Sequence, residues 1–359
     1  MEALERIVML QNNFYKNKTV LITGHTGFKG SWLSEILLML GAKVIGYSLP
    51  PSTSPNLFDL LKLEKRMTSI IGDVRDLKHL DSVFSTYKPE IVFHLAAQPI
   101  VRISYQNPVM TYETNVMGTV NICECVRTHS SVKSFINITT DKVYENNDIP
   151  NHPFLEDEKL DGYDPYSNSK SCSEIITHSY FRCFFAKAEI AVSTARAGNV
   201  IGGGDFSPDR IIPDCVRALE KGAPLIIRNP NSTRPYQHVL DPLYCYLEIA
   251  EKQWGNHALS GAYNIGPDSC DFVSTITLVE LFKSHFNKTF SFEVKPDGGP
   301  HEASFLSLDN AKTKRTFLWT PRFHIREAVS LSAEWYDVYR KNEDIRPITD
   351  KQIREFFKL

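Results

Sequence analysis

The sequence has no Cys-x-x-Cys pair and no excess of positive charge. Its seven cysteines are odd in number and scattered between Cys123 and Cys270. This pattern argues against a disulfide framework or a zinc site and favours a reducing compartment. Lys and Arg number 40 against 42 for Asp and Glu, a formal net charge of −2. We therefore expect no nucleic-acid partner, no anionic membrane surface as partner and no bound metal.

A long apolar run and a secretion signal are also absent from the sequence. No stretch reaches the roughly 18 apolar residues that a membrane-spanning helix requires. Residues 1–18 include Glu2 and Glu5 and lack the basic start and apolar core of a signal peptide. We therefore expect a cytoplasmic protein. Its 359 residues, 42% hydrophobic and 23% charged, are typical of one large or two closely associated globular domains.

Apolar segments alternate with helical patterns in the first half of the chain. The predicted strands cover 19–23, 43–47, 69–72, 91–96, 135–140 and 190–195, and the clearest helices cover 28–40, 112–127 and 167–185. Continuous apolar strands between helices predict an α/β fold with a doubly wound parallel sheet, whose carboxyl edge binds the ligand.

The alternation breaks after Ala197 into a region rich in glycine and proline. We therefore expect a Rossmann-type domain over residues 1–197 and a smaller α/β substrate-binding domain over 198–359. Whether part of 236–265 returns to the first domain is left open by the pattern.

A glycine-rich turn directly follows the first predicted strand. Residues 23–30 read Thr-Gly-His-Thr-Gly-Phe-Lys-Gly. Glycines at this spacing allow a tight turn and a close approach of backbone N–H groups to a pyrophosphate, which the N-terminus of the next helix attracts. The alternative is a purely structural turn. The pattern favours a dinucleotide site formed by Gly24, His25, Thr26, Gly27, Phe28, Lys29 and Gly30.

The end of the second strand bears on the choice of cofactor. It reads Gly46-Tyr47-Ser48, without the acidic residue that usually holds the ribose of NAD. No arginine lies immediately beside it to hold a 2′-phosphate, so NAD is favoured over NADP but not fixed by this position. Asp73, after the third strand, either binds the adenine or caps the helix before Leu77, and both interpretations stay open.

Tyr166 and Lys170 lie four residues apart, on one face of a predicted helix. A lysine ammonium stabilises a phenolate and lowers the pKa of the tyrosine. Such a tyrosine removes a proton from an alcohol while a nicotinamide accepts the hydride. Taken alone, this spacing is common on solvated helix faces.

The fifth predicted strand ends in polar residues at the same edge of the sheet. Residues 139–144 read Thr-Thr-Asp-Lys-Val-Tyr. Thr140 offers a hydroxyl to a reacting oxygen, and Asp141 and Lys142 offer a neighbouring acid and base. The alternative is a polar strand end with a solvated ion pair. The three motifs occur in one chain in the right order, which favours an active site.

These motifs in this order resemble the extended short-chain dehydrogenase/reductase family over almost the whole chain. The resemblance includes Asp73 and the His-Leu-Ala-Ala segment at 94–97. The pair Asp141-Lys142 resembles the nucleotide-sugar 4,6-dehydratases, most of which carry Asp-Glu there. The lysine in that pair, with Gly-His-Thr-Gly-Phe-Lys-Gly-Ser-Trp at 24–32 and Ser-Pro-Asn-Leu-Phe at 54–58, is similar to the members that act on CDP-glucose.

The resemblance implies an NAD-dependent hydro-lyase that acts on CDP-glucose, within deoxysugar and lipopolysaccharide biosynthesis. Thr140, Tyr166 and Lys170 match the catalytic triad of the family. Tyr166 would deprotonate the sugar 4-hydroxyl as the C4 hydride moves to NAD⁺. Lys142, as a neutral amine, would remove the C5 proton, and Asp141, in its protonated form, would release the C6 hydroxyl as water before the hydride returns to C6. Which of these two residues acts at which atom is left open.

The resemblance also implies binding residues outside the catalytic motifs. Further cofactor contacts are expected from Asp73, Val74, Leu95, Ala96 and Ala97, together with Tyr166 and Lys170. Substrate contacts are expected from Arg102, Ser104, Asn199, Arg234 and His301.

Two polar residues carry competing interpretations, and one pair of helices implies self-association. His94 is expected to pack within the sheet. Asn115 either helps to hold Lys170 through water or fills the helix core.

Because the family uses the 112–127 and 167–185 helices as a dimer interface, a homodimer or homotetramer is expected.

Other functions fit part of the pattern. A 4,6-dehydratase of another nucleotide sugar is the nearest alternative. A nucleotide-sugar 4-epimerase or reductase requires Tyr166 and Lys170 but has no use for the pair Asp141-Lys142. A protein that only binds NAD(P) requires none of these four residues.

Overall fold

The computed structural model describes residues 13–149, 151–286, 290–295, 299 and 305–359. Its strands are β1 Thr19–Thr23, β2 Lys43–Ser48, β3 Thr68–Ile71, β4 Ile91–His94, β5 Ser134–Thr139, β6 Pro153–Phe154, β7 Ala191–Ala197, β8 Val200–Ile201, β9 Leu225–Ile227, β10 Thr233–Arg234, β11 Gln237–His238, β12 Gly261–Ile265, β13 Val273–Ser274, β14 Phe292–Val294 and β15 Ser307–Leu308.

The helices alternate with the strands in the first half and cluster in the second. They are α1 Phe28–Met39, α2 Leu57–Leu60, α3 Leu77–Tyr87, α4 Val101–Gln106, α5 Pro108–Tyr112, α6 Gly118–Thr128, α7 Pro165–Tyr180, α8 Ile211–Lys221, α9 Leu240–Trp254, α10 Thr275–Lys283, α11 Ala311–Phe317, α12 Ile325–Arg340 and α13 Arg346–Phe357. None of the described helices is long and apolar enough to cross a membrane.

Seven parallel strands form the central sheet in the order β12-β7-β5-β4-β1-β2-β3. The chain builds outward from β1 to β3 and then returns to the other side of β1 at β4. The strand order therefore reverses between β1 and β4, and a crevice opens at their carboxyl ends. The predicted α/β fold with a doubly wound parallel sheet is confirmed.

Local sequence signals set most element boundaries. The predicted strand 19–23 matches β1, whereas the strand predicted over 91–96 ends at His94. Only the Leu95 amide continues the ladder, by donating to the carbonyl of Thr23 at 3.1 Å. Helix α7 begins at Pro165 because Asp164 accepts a hydrogen bond from Ser167 N at 3.0 Å and caps it.

Two predicted helices contain π-helical turns. The first, predicted over 112–127, is made of the end of α5, a π turn over Glu113–Met117 and α6. The second, predicted over 167–185, is α7 continued by a π turn over Phe181–Phe185. Both helices thus run through the predicted ranges with one wider turn each.

The sheet is covered on both faces by apolar side chains. On one face, buried residues such as Trp32 and Leu247 from α1 and α9 form the larger core. On the other face, Phe84 and Val126 from α3 and α6 pack on Phe135 of β5. Burial on both faces explains why strands such as β1 and β4 carry continuous rather than alternating apolar runs.

Residues 240–265 return to the sheet after the chain has left it. Helix α9 packs on β5 and β7, and β12 pairs in parallel with β7 at the edge. This return, which the sequence left open, follows from α9 being buried along most of its length. The remaining segments after Ala197 form short strand pairs and helices. Part of this region, between residues 198 and 275, borders the carboxyl edge of the sheet. The division at residue 197 remains a prediction.

Candidate active site

A cavity of about 570 Å³ lies at the carboxyl edge of the sheet, between the strand ends and residues 198–275. It brings together nearly all of the predicted site residues. Those that line it are Gly24, Thr26, Gly27, Phe28, Lys29, Gly30, Asp73, Val74, Leu95, Ala96, Ala97, Arg102, Thr140, Asp141, Lys142, Tyr166, Lys170, Asn199 and Arg234.

Two predicted site residues stand apart from this cavity. His25 is fully buried behind the glycine turn, where its Nε2 lies 2.7 Å from Ser69 Oγ. Its side chain therefore packs inside the protein and does not face the cavity, which corrects the predicted side-chain contact with the cofactor. Ser104 is also fully buried and its Oγ donates to the carbonyl of Val101 at 2.6 Å, which corrects its predicted contact with the sugar. His301 lies outside the described residues.

The glycine turn forms a cradle that side chains would fill. A Cβ on Gly24, whose φ is +77°, would come within 2.7 Å of the amide nitrogen of Ala96, and one on Gly30 within 2.1 Å of the carbonyl oxygen of Gly24. Helix α1 starts at this point with Gly27 as its N-cap, and no side chain caps it. Its first N–H groups therefore face the cavity, which fits the pyrophosphate of a dinucleotide.

The far end of this cradle is lined by small polar groups. Thr26 Oγ1 lies 2.9 Å from Ser48 Oγ and donates to the carbonyl of Leu49 at 2.9 Å. Asp73 also lines the cavity, and hydrogen bonds from Arg75 hold the pKa of its carboxyl below the usual value. The helix after β3 is capped by Asp76, so the alternative capping role of Asp73 is wrong.

Lys29 lies in the wall of the cavity. Burial lowers its pKa to about 7, the positive charges of Arg210 and Lys170 act in the same direction, and Asp141 opposes them. Lys29 also lies 5.9 Å from the ring centroid of Tyr246. With a pKa of about 7, the amine of Lys29 is only about half protonated near pH 7. An anion bound beside it would favour the charged form.

Tyr166 and Lys170 both face the cavity from α7. The Tyr166 phenol hydrogen-bonds to the side chain of Thr140, while burial raises its pKa to about 12. Lys170 is 4% exposed and donates through Nζ to the carbonyl of Ile138 at 3.0 Å. The predicted lowering of the tyrosine pKa is corrected, because the loss of water around the phenol outweighs its stabilising contacts in the protein without ligand.

Residues 139–144, hereafter the acid–base segment, place Asp141 and Lys142 beside these groups. Asp141 is 1% exposed, and its Oδ1 accepts from Thr140 Oγ1 at 2.9 Å. Asn199 Nδ2 lies 3.5 Å from Asp141 Oδ2. Lys142 is half-buried and lines the cavity. The segment therefore presents a carboxyl and an amine to the same space as Tyr166 and Lys170.

His94 and Asn115 have structural partners. His94 Nδ1 lies 2.7 Å from Thr23 Oγ1, and burial lowers the histidine pKa to about 3, so it packs within the sheet as expected. Asn115 accepts from Gln98 N at 2.8 Å and donates to Ser169 Oγ at 2.9 Å. It ties the loop after β4 to α7 directly and does not hydrogen-bond to Lys170 itself.

Several residues that face or support the cavity were not identified from the sequence. Asp209, Arg210 and Arg228 line it, and Asp209 Oδ1 lies 2.8 Å from Arg228 Nη1 and 3.9 Å from Arg102 Nε. Their positions depend on how the loops after β8 and β9 fold against the carboxyl edge of the sheet. Local sequence carries no comparable spacing signal for them.

A buried ion pair lies beneath the cavity. Glu174 and Arg196 are at most 4% exposed, and Arg196 Nη2 lies 3.0 Å from Glu174 Oε2. Burial acts to raise the pKa of Glu174, but Arg196 and hydrogen bonds from Thr139 and Thr194 hold it below its usual value. The spacing of Glu174, four residues after Lys170, is a sequence signal that could have revealed it.

The fold and the site together define a Rossmann-type α/β protein with a cradle for a dinucleotide and a tyrosine–lysine pair at its carboxyl edge. The family model for GDP-mannose 4,6-dehydratase matches residues 21–331. The CDP-glucose 4,6-dehydratase of Salmonella typhimurium is 41% identical over 354 residues, which cover 97% of this chain and 98% of that protein. The chain belongs to the family of nucleotide-sugar 4,6-dehydratases, as the sequence motifs predicted.

Solved structures agree on the fold. The dTDP-glucose 4,6-dehydratase from Bacillus anthracis in complex with NAD superposes with a TM-score of 0.75 at 22% identity and covers 92% of this chain and 99% of its own. The UDP-glucose 4-epimerase from Thermotoga maritima with UDP-glucose gives a TM-score of 0.76 at 23% identity and covers 90% and 99%. At these identities the likeness bears on the fold, and the reaction must be argued from the site.

Proposed function

We propose that the protein is an NAD-dependent hydro-lyase that dehydrates CDP-D-glucose to CDP-4-keto-6-deoxy-D-glucose. The observation that carries this proposal is the meeting of two sets of groups in one cavity. The glycine cradle lies at one end, and Tyr166, Lys170, Asp141 and Lys142 converge at the other. The full-length relationship to an enzyme that bears this name supports the choice of substrate.

The cofactor site fits NAD in shape and charge. The uncapped start of α1 and the amine of Lys29 offer positive charge to a pyrophosphate. Asp73 and Val74 line the region expected for the adenine, and Leu95 and Ala96 flank the strand ends near the reacting groups. When bound, the nicotinamide of NAD supplies a hydride acceptor for C4 and a hydride donor for C6, so that no external oxidant or reductant is required.

Oxidation at C4 relies on the groups of α7 and the end of β5. Tyr166 takes the proton of the sugar 4-hydroxyl, and Thr140 hydrogen-bonds to the same oxygen. Lys170 contributes positive charge that favours the phenolate. The positive nicotinamide ring of the bound cofactor acts in the same direction as Lys170, against the effect of burial on the tyrosine pKa.

Water loss across C5 and C6 relies on the acid–base segment. The 4-ketone acidifies the C5 proton, which Lys142 removes, and Asp141 protonates the departing C6 hydroxyl. Two protons are taken, from O4 and C5, and two are given, to the departing hydroxyl and back to C5. The reaction is therefore balanced in protons and in hydride, and its net product besides the keto sugar is one water. This division of labour between Asp141 and Lys142 is part of the proposal.

The nucleotide half of the substrate is assigned to the arginine-rich wall of the cavity. Arg102, Arg210, Arg228 and Arg234 all line this space. Arginine suits a diphosphate because its planar fork donates two parallel hydrogen bonds to phosphate oxygens. Asn199, which directly follows the turn after β7, lies beside Asp141 and is assigned to the sugar.

The proposal extends to assembly, location and pathway. Exposed apolar residues on α5, α7 and the two π turns, Val109, Met117, Ile175 and Phe184, fit burial in a homodimer or homotetramer. Seven free cysteines fit the cytoplasm, where nucleotide sugars are built. A 4-keto-6-deoxy sugar on a nucleotide is a precursor of further deoxysugars, which fits lipopolysaccharide biosynthesis.

The mass of the sugar product tests the proposed reaction. The protein is incubated with NAD⁺ and CDP-glucose, with dTDP-glucose and GDP-mannose in parallel. We expect loss of one water from CDP-glucose without net formation of NADH. Water loss from another nucleotide sugar overturns the substrate but keeps the reaction. Unchanged mass with inversion at C4 shows an epimerase, and no turnover of any of the sugars overturns the proposal as a whole.

A further inference from the structure

The ion pair between Glu174 and Arg196 reaches both ends of the acid–base segment. At the start of the segment, Thr139 Oγ1 donates to Glu174 Oε1. At its end, Arg196 Nη1 donates to Tyr144 Oη at 2.7 Å, and the guanidinium lies 5.0 Å from the centroid of the Tyr144 ring. The acid and the base of the site lie between these two contacts.

The same pair connects this segment to helix α7. Glu174 lies one helical turn after Lys170, and Lys170 Nζ donates to the carbonyl of Ile138, the residue before Thr139. Thr194 Oγ1 of β7 donates to Glu174 Oε2 at 2.6 Å. One carboxylate therefore links the helix that carries the tyrosine–lysine pair, the strand that leads into the acid–base segment and the neighbouring strand.

Tyr144 is fixed from a second side. Its Oη donates to Asn264 Oδ1 at 2.6 Å, and its ring stacks on Phe154 with a centroid distance of 4.8 Å and an interplanar angle of 6°. Arg196 Nη1 also donates to the carbonyl of Glu156 at 2.8 Å. The end of the segment is thus held by a hydrogen-bonded network with little freedom to shift.

We propose that Glu174 and Arg196 form a clamp that sets the position of the acid–base segment relative to Tyr166 and Lys170. Neither residue of the pair lines the cavity, so both are positioning residues. The inference rests on the proposed function, because it concerns how Asp141 and Lys142 reach the substrate.

The energetics of a buried pair favour this role over a purely stabilising one. Desolvation offsets most of the attraction between buried charges, and apolar residues of similar volume often stabilise a fold equally well. A pair with several directed hydrogen bonds does fix geometry, and small displacements of reacting groups strongly reduce rates.

Two threonines provide a matched test of the clamp. Thr139 and Thr194 are 4% and 5% exposed, both lie on central strands, and each donates one hydrogen bond to Glu174. Only Thr139 belongs to the acid–base segment, as its first residue. Thr139→Val and Thr194→Val therefore remove equivalent bonds from the same carboxylate, but only the first releases the segment.

We expect Thr139→Val to lower kcat by about tenfold to a hundredfold, the size of effect that displaced reacting groups produce. KM should stay within about twofold, because the substrate-binding wall is untouched. Thr194→Val should leave kcat within about threefold. Thr139→Ser restores the hydroxyl and should recover most of the loss. Tyr144→Phe removes the hydrogen bond from Arg196 at the other end of the segment and should also lower kcat. It replaces Thr139→Val in the test if that variant does not fold.

Hydrogen exchange on the protein without substrate gives a readout that is independent of turnover. Backbone amides of residues 140–143 should exchange faster in Thr139→Val than in Thr194→Val, while both variants melt at similar temperatures. Equal losses of kcat in the two variants, or unchanged exchange at 140–143 in Thr139→Val, overturn the clamp. If the wild-type protein dehydrates none of the sugars, the proposed function fails, and the exchange comparison still decides whether the clamp exists.

Discussion

Asp141 lies so close to Gly198 that a Cβ at position 198 would come within 1.9 Å of Asp141 Oδ2. The carboxylate occupies the space that any other residue at 198 would fill. It is thereby turned toward Asn199, whose Nδ2 lies 3.5 Å away. Shape, as well as hydrogen bonding, holds the acid of the site in place.

Gly198→Ala should therefore displace Asp141 and lower kcat by about a hundredfold, since a shift of a reacting group by about 1 Å has effects of this size. Binding of NAD, measured by titration calorimetry, should change little because the glycine cradle lies on other strands. Gly255→Ala is the matched control, because nothing lies within 4 Å of a Cβ at that position. Full activity of Gly198→Ala would show that the carboxylate can move without consequence.

Lys142→Met should abolish water loss and preserve cofactor binding. The substitution nearly keeps the length of the side chain and removes the amine that we propose takes the C5 proton. Mass spectrometry of the product and calorimetric titration with NAD check the two halves of the prediction. Lys159→Met, at a lysine that is 63% exposed, is the control. If Lys142→Met dehydrates at the normal rate, another group removes the proton.

The rise of activity with pH should level off as the pH passes through about 8, with NAD at saturation. Burial lowers the pKa of Lys170 to about 8, against the opposing charge of Glu174. Below that pH the lysine stays charged while the phenolate fraction of Tyr166 grows by up to about tenfold per pH unit, so kcat/KM rises. Above it the loss of the lysine charge offsets the further ionisation of the phenol, and kcat/KM stops rising.

Two variants separate the contributions to this pH profile. Lys170→Arg stays charged and should let kcat/KM continue to rise above about pH 8. Lys29 could also contribute to the profile, because burial lowers its pKa to about 7. The measurement is therefore repeated with Lys29→Arg, which leaves Lys170 as the one of these two lysines that changes charge in this pH range. A profile of Lys170→Arg that levels off at the same pH as wild type contradicts the assignment.

The protein should lose stability in acid partly through His238. This imidazole is fully buried, which lowers its pKa from 6.5 to about 3. Below pH 6.5 the histidine is protonated in the unfolded chain but stays neutral in the folded protein. The free energy of unfolding is therefore unaffected by this group above pH 6.5 and decreases as the pH falls toward 3. One pKa unit corresponds to about 1.4 kcal/mol, so this group contributes a loss of about 3 kcal/mol by about pH 4.

Urea unfolding of His238→Leu against wild type measures this contribution. The difference in the free energy of unfolding between about pH 7 and about pH 4 should shrink by about 3 kcal/mol in the variant. His178→Leu, at an exposed position of α7, is the control and should leave the slope unchanged. Parallel pH curves for wild type and His238→Leu would refute the prediction.

The apolar surface of α7 and its neighbours should mediate self-association. Ile175 is 55% and Phe184 is 43% exposed, on a helix that packs against α5 and α6. Ile175→Asp places a charge at this surface and should shift a dimer or tetramer toward the monomer in light scattering after gel filtration. Val294→Asp, at an equally apolar position that is 49% exposed elsewhere, should not. A wild-type monomer contradicts the prediction directly.

Motifs that depend on neighbours in sequence were visible without a structure. The glycine spacing at 24–30 predicted the cradle because each glycine is required by local backbone geometry. The four-residue spacing of Tyr166 and Lys170 predicted a shared helix face in the same way. The π turns within the two long helices changed neither prediction, because both lie outside these motifs.

Side-chain direction was harder to predict than position. His25 lies within the cradle motif, but its ring packs behind the turn on Phe58, with centroids 5.2 Å apart. Ser104 lies near Arg102 in sequence, but its hydroxyl turns inward to the helix backbone. Which way a side chain points depends on the surfaces that pack around it, and these come from distant parts of the chain.

By itself, the sequence determined the parallel sheet and the cofactor cradle, because periodicity and short spacings encode them, and it predicted the reacting groups. Tertiary structure decided the return of residues 240–265 to the sheet, the closure of the arginine wall and the pairing of Glu174 with Arg196. These features join residues far apart in the chain, and their free energy comes from burial and directed hydrogen bonds that exist only after the strands and helices have packed.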